Sequence, residues 1–121
     1  MNFQLLLWVF LGGGLGTILR FGVGKLFSTL LSVKFPLGTL VSNALACLIL
    51  GLTLFILKDK MQTSEFLRHF VIIGICGGFS TFSAFSFETV KLLQDGLIGI
   101  AFLNILISLS IGFGIIYLLV K

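Results

Sequence analysis

Charge is scarce in this chain: four acidic and eight basic side chains are scattered over 121 residues, with one histidine, one proline and two cysteines. Each scarcity excludes something. Charged residues make up 10% of the sequence, where soluble domains carry roughly 25%. A chain this short cannot hide its 58% of hydrophobic residues in a water-soluble core. Cys47 and Cys76 lie in apolar segments, away from any His or Cys at ligand spacing, which argues against a disulfide framework or a zinc site and for small buried hydrophobes. His69 stands at the aqueous start of a span, where solvation or capping suits it better than catalysis. With no nucleophile-base pair, phosphate loop or metal-ligand cluster, no enzyme is expected. The net charge of +4 is spread along the chain and gives no basic footprint for nucleic acid.

What the chain does have is apolar length, with a mean hydropathy of +1.23. A membrane-spanning helix needs about 20 largely apolar residues, and four segments qualify: 3–31, 37–57, 67–93 and 97–120. Residues 1–121 are thus expected to form one all-α integral membrane domain of four transmembrane helices. The start, MNFQLLLWVF, lacks a cationic n-region and a cleavage site, and is read as the retained beginning of the first span. Lys34-Phe35-Pro36 ends the first connection, since proline suits a helix start. KDKMQTSE forms a hydrophilic loop in which Thr63 or Ser64 can cap the third span. Gln94-Asp95-Gly96 marks a tight turn before the fourth.

Both ends then emerge on one side. That face carries Lys58, Lys60, Arg68 and Lys121; the other carries Lys25, Lys34 and Lys91, with Arg20 nearby. Orientation follows the Lys and Arg excess of cytoplasmic loops, and this balance leaves almost none. Insertion in both orientations is therefore expected, with opposite copies pairing as an antiparallel homodimer in the lipid bilayer. Small residues at four-residue spacing favour close helix contact: Gly12 and Gly16, Gly38 with Ser42 and Ala46, Gly74 and Gly78.

Several polar residues stand where lipid would be costly. Arg20 closes GGGLGTILR; it either lines a vestibule, braces the fold by capping carbonyls or pairing with Glu88, or snorkels as Lys25 and Lys91 do. Asn43 lies near the middle of the second span, one turn from Thr39. Its amide needs partners, from a neighbouring helix or from a polar path. In GGFSTFSAFSFE the paired glycines Gly77-Gly78 beside Ser80-Thr81 predict a break in the third helix, tolerated at membrane depth only where protein or a cavity satisfies it. Beyond it Phe82 and Phe85 share a face, with Ser80 and Ser83 alongside. Ring edges are electropositive, so rings and hydroxyls together can surround a small anion. The plain alternative is that phenylalanine, fourteen of them here, is common in membrane helices. Glu88 closes the stretch, and Asn104 and Ser108 share a face of the fourth span.

These segments, GGGLGTILR, PLGTLVSN and GGFSTFSAF on a four-span chain of this size, resemble the Fluc (CrcB) family of small fluoride channels over essentially the whole length. The resemblance implies a dual-topology homodimer in a prokaryotic cell (inner) membrane, with two antiparallel pores that export fluoride passively and confer fluoride resistance. It implies a pore asparagine at Asn43 and fluoride-facing rings at Phe82 and Phe85. Thr39, Ser83, Glu88, Asn104 and Ser108 match polar positions near the path. A structural sodium ion at the dimer interface would be held by backbone carbonyls of Gly77 and Ser80 from both subunits. Ser80 stands where threonine is usual, Ala84 replaces a hydroxyl residue, and Gly112 offers none. A rival reading is a proton-coupled exporter of the small multidrug-resistance kind, also a short four-helix protein. That mechanism needs a titratable carboxylate in the membrane, and the first span has no acid.

Overall fold

The computed structural model describes residues 2–121 and consists of helices joined by short links. Helix α1 spans Phe3–Leu30 and α2 Leu37–Ile56. A single 3-10 turn, Lys58–Lys60, leads to α3, in which Leu67–Cys76 has π-type winding and Gly77–Phe79 returns to α geometry. Helix α4 spans Phe82–Gln94 and α5 Ile98–Val120. Helices α3 and α4 together make one crossing, so four stretches are long and apolar enough to traverse a bilayer. The chain is an all-helical, multi-pass membrane protein. An even number of crossings returns both ends to the same side.

Local chemistry sets the boundaries. Asn2 Oδ1 accepts from Leu5 N at 2.9 Å and starts α1. Ser64 Oγ accepts from Leu67 N at 3.1 Å, making Ser64 the cap of the third crossing. At the end of α4, Leu97 N donates to Leu92 O (2.9 Å) and Gly96 N to Leu93 O (3.1 Å). This C-terminal pattern requires a residue with positive φ, and Gly96 supplies it at +80°.

The break in the third crossing falls at Ser80–Thr81, while Gly77 and Gly78, expected to take part in it, remain helical. Ser80 (φ −86°, ψ 156°) and Thr81 (φ −153°, ψ 114°) are extended. Their hydroxyls account for this. Ser80 Oγ turns back to donate to Cys76 O at 2.8 Å, and Thr81 Oγ1 accepts from Ala84 N at 3.1 Å as the cap of α4. Gly78 serves α1 instead. Gly12 and Gly16 face Gly74 and Gly78 so closely that a methyl on Gly74 would sit 2.8 Å from Gly12 Cα, and one on Gly16 would sit 2.8 Å from Phe79 N. Backbone meets backbone along this crossing.

The interior is small and polar. Its buried apolar residues are Ala46, Cys76, Phe79, Leu92 and Ala101, against buried Ser42, Thr53, Thr89 and Asn104. Leucines and phenylalanines point outward, as expected where lipid is the solvent.

Candidate functional site

Asn43 and the helix break define the centre of the molecule. Asn43 Oδ1 accepts from Thr81 N at 2.7 Å, and Asn43 Nδ2 donates toward Thr81 O at 3.4 Å. One side chain of α2 thus replaces the helical partners that Thr81 loses by being extended. Left unpaired in an apolar setting, each of those groups would cost about 1–3 kcal/mol. Nδ2 keeps a second proton, and Asn43 lines a cavity of about 370 Å³ together with Ser80, Thr81, Phe82, Phe85 and Ser108. The Phe82 and Phe85 rings stand 6.1 Å apart, tilted by 43°. At this point α4 begins, with its positive dipole end and the first amides that Thr81, which caps only Ala84 N, leaves unbonded. An amide donor, two aromatic rings and a helix N-terminus converge on one space.

That space has neighbours. Thr81 also lines a cavity of about 280 Å³ with Arg20, Lys25, Thr39 and Ser42. Thr39 in turn borders one of about 210 Å³ that reaches Glu88, and Glu88 borders an outer one that holds Lys34 and Lys91. Polar lining therefore continues from the broken helix to the lysines at the mouth, each cavity sharing a polar residue with the next.

Arg20 is half-buried, and its Nε donates to Gly78 O at 3.1 Å. The guanidinium thus caps a carbonyl freed by the break and also lines the second cavity; it forms no ion pair with Glu88. Among the described residues the single salt bridge is Lys91–Asp95 at 3.2 Å, on the surface. Glu88 Oε1 is buried without a hydrogen-bond partner, as is the Ser42 hydroxyl. Both atoms belong to residues that line the chain of cavities.

On the opposite wall Asn104 is buried, its Nδ2 donating to Thr89 Oγ1 at 2.9 Å and its Oδ1 accepting from Ser108 Oγ at 3.1 Å. Of this pair only Ser108 reaches the main cavity. Ser83 is exposed, with its hydroxyl 3.2 Å from Thr81 Oγ1. The structure thus brings Asn43, Ser80, Phe82, Phe85 and Ser108 together around one cavity. Thr39 and Glu88 meet at another, with Arg20 between the two. Asn104 stands behind the wall.

Sequence reasoning gave no site role to Thr81, Thr89 or Ser42. A signal existed for Ser42, which is three residues from Thr39 and so on its face. Thr89 carried none, since it is one more β-branched residue until Asn104 is seen 15 positions away.

For a metal, no cluster of three or more His, Cys, Asp or Glu side chains occurs among the described residues. The available ligands are backbone carbonyls. Those of Gly77 and Ser80 accept no hydrogen bond from the described residues, because the extended pair removes their helical donors. Gly77 is exposed on the single chain. Unpaired, hard oxygen donors of this kind fit an alkali cation, provided a second copy completes the set.

Comparison with known proteins bears on the same residues. Residues 7–120 match the family model described as "CrcB-like protein, Camphor Resistance (CrcB)". A relative from Flavobacterium psychrophilum, named "Fluoride-specific ion channel FluC", is 42% identical over 105 residues, 87% of this chain and 85% of its own length. One of the same name from Thermus thermophilus is 43% identical over 112 residues, 93% of this chain and 89% of the relative. A third, from Pyrococcus horikoshii, is 36% identical over 118 residues and covers 98% and 94%. With a family match over nearly its whole length and relatives this similar, the chain belongs to the CrcB family.

Proposed function

We propose that this protein is a passive, fluoride-selective channel that lets fluoride leave the cytoplasm down its gradient. One observation carries the reading: Asn43, the Phe82/Phe85 ring pair and Ser108 converge on a single cavity at the open start of α4. The family membership and the names of the relatives support it.

The chemistry suits fluoride. It is small and strongly hydrated, so a path must replace its water with several good donors. The free Asn43 N–H, the first amides of α4 that Thr81 leaves uncapped and the ring edges are such donors, and they are neutral. A fixed cation within contact would bind the ion too tightly to release it. Arg20 is held back at Gly78 O and acts at a distance, raising the anion concentration in the vestibule. In this reading fluoride passes Asn43, Phe82, Phe85, Ser83 and Ser108, and meets Thr39 and Glu88 nearer the mouth, with Asn104 supporting the wall.

A second copy completes the pathway. Phe82 is 79% exposed and Gly77 is also open, so the most specific residues of the site lie at the surface of a lone subunit. Two antiparallel copies in the bilayer would enclose them and produce two paths. At the two-fold axis the carbonyls of Gly77 and Ser80 from both subunits would hold a sodium ion. That ion supplies positive charge and ties together the two helix breaks.

Fluoride efflux from liposomes containing purified protein, with any proton gradient collapsed, tests the reading. Efflux that persists without the gradient supports a channel. Gradient-dependent uptake of an organic cation, with no fluoride efflux, would replace the channel by an exporter.

A further inference from the structure

Proton positions in the α4–α5 contact follow from a group that can only accept. Thr89 Oγ1 donates its one proton to Phe85 O at 2.7 Å. Its lone pairs therefore face Asn104 at 2.9 Å, and the Asn104 atom there is the donor Nδ2. This fixes the amide, so Oδ1 points the other way, toward Ser108 Oγ at 3.1 Å. Ser108 then gives its proton to Asn104 and turns only lone pairs toward the main cavity. A side chain that would serve an anion as a donor is thus held as an acceptor.

We propose that Thr89 and Asn104 are positioning residues that make Ser108 a reversible donor, able to bond a passing anion only by releasing Asn104. This rests on the fluoride-channel reading. When the Ser108 proton swings to the ion, Asn104 Oδ1 is left without a partner in a residue that is 1% exposed. The restoring pull loosens the hold on the anion by about one neutral hydrogen bond, roughly fivefold in affinity. Conduction gains from this, because a site must release as readily as it binds. Between passages the Ser108 lone pairs accept from water and keep the cavity wetted.

The test is the concentration dependence of fluoride efflux in liposomes. Thr89→Val keeps the shape but removes the hydroxyl. The Asn104 amide can then turn Nδ2 toward Ser108, whose proton is freed for the cavity. Expected results are a half-saturating fluoride concentration about fivefold lower and a maximal rate reduced by a similar factor. Thr89→Ser, which retains the hydroxyl, restores both. In a Ser108→Ala background Thr89→Val adds nothing, because the group it acts on is gone. Should Thr89→Val fail to assemble, Thr89→Ala is read in the same way. An unchanged half-saturation in an assembled variant, or an equal shift with and without Ser108, overturns the relay. A wild-type protein that passes no fluoride would overturn the channel reading itself.

Discussion

The two halves of this small bundle are held together by opposite means. Along the α1–α3 crossing, Gly12, Gly16, Gly74 and Gly78 bring backbone against backbone, with no room for a Cβ on the inner positions. Around α2, α4 and α5 two of the contacts between elements run through side-chain polar groups, Asn43 to Thr81 and Asn104 to Thr89, while Ser108 bonds Asn104 within α5. Gly12, Gly16, Gly74 and Gly78 line none of the four cavities described above, while the polar side leaves one of about 370 Å³. In lipid there is no hydrophobic drive to close such a space, and side-chain hydrogen bonds join the elements around it. Rigidity on one side allows a polar path on the other.

The sharpest way to break the contrast is to add bulk to the glycine side. Gly12→Val places branched carbons against Gly74 Cα and α3 backbone that cannot move aside. We expect more than ~4 kcal/mol of destabilisation and no monodisperse protein on size-exclusion chromatography. A stable Gly12→Val protein would show that the crossing is looser than described.

On the polar side Asn43→Leu should be milder for the fold and severe for transport. It strands Thr81 N–H and C=O, at a cost of about 1–3 kcal/mol for each group left unpaired. Fluoride efflux should fall at least ~100-fold, read with a fluoride electrode, while detergent-solubilised protein still elutes as one species. Asn43→Asp keeps the acceptor for Thr81 N but loses the donor and adds negative charge. It should be more stable than Asn43→Leu and equally silent.

Exchanging sodium for a large organic cation during purification should lower the melting temperature by several degrees, because a cation bound only by the folded dimer stabilises it by mass action. No shift would remove the carbonyl site at Gly77 and Ser80 from the account. The smallest effect is expected at the surface. Lys91→Ala breaks the exposed pair with Asp95 and should alter stability by less than ~0.5 kcal/mol, with any change in fluoride rate vanishing at high salt.

The glycine side was largely readable in advance, and the polar side only in outline. Hydrophobic length and the capping residues Ser64 and Gly96 are local signals, and the four helical crossings fall in the apolar stretches. The break was foreseeable from GGFST, yet its seat was not. Whether glycine or hydroxyl residues leave the helix depends on α1, which needs Gly78 in place, and on Asn43, which holds Thr81 from 38 positions away. For Arg20, capping a carbonyl was one of several options, and its partner Gly78 is 58 residues distant. Asn104 was legible as a polar residue in a span. That it faces Thr89 while Ser108 faces the cavity is a matter of helix rotation, and a single sequence carries no phase reference for that.

Efflux from sealed vesicles tests the central claim most directly. Liposomes loaded with potassium fluoride and containing the wild-type protein are opened to charge balance by a potassium ionophore, and external fluoride is followed with an electrode. The account predicts rapid release of fluoride, none of chloride from matched vesicles, and near-silence for Asn43→Leu. Vesicles that retain fluoride with protein present, or that lose chloride equally fast, would contradict it.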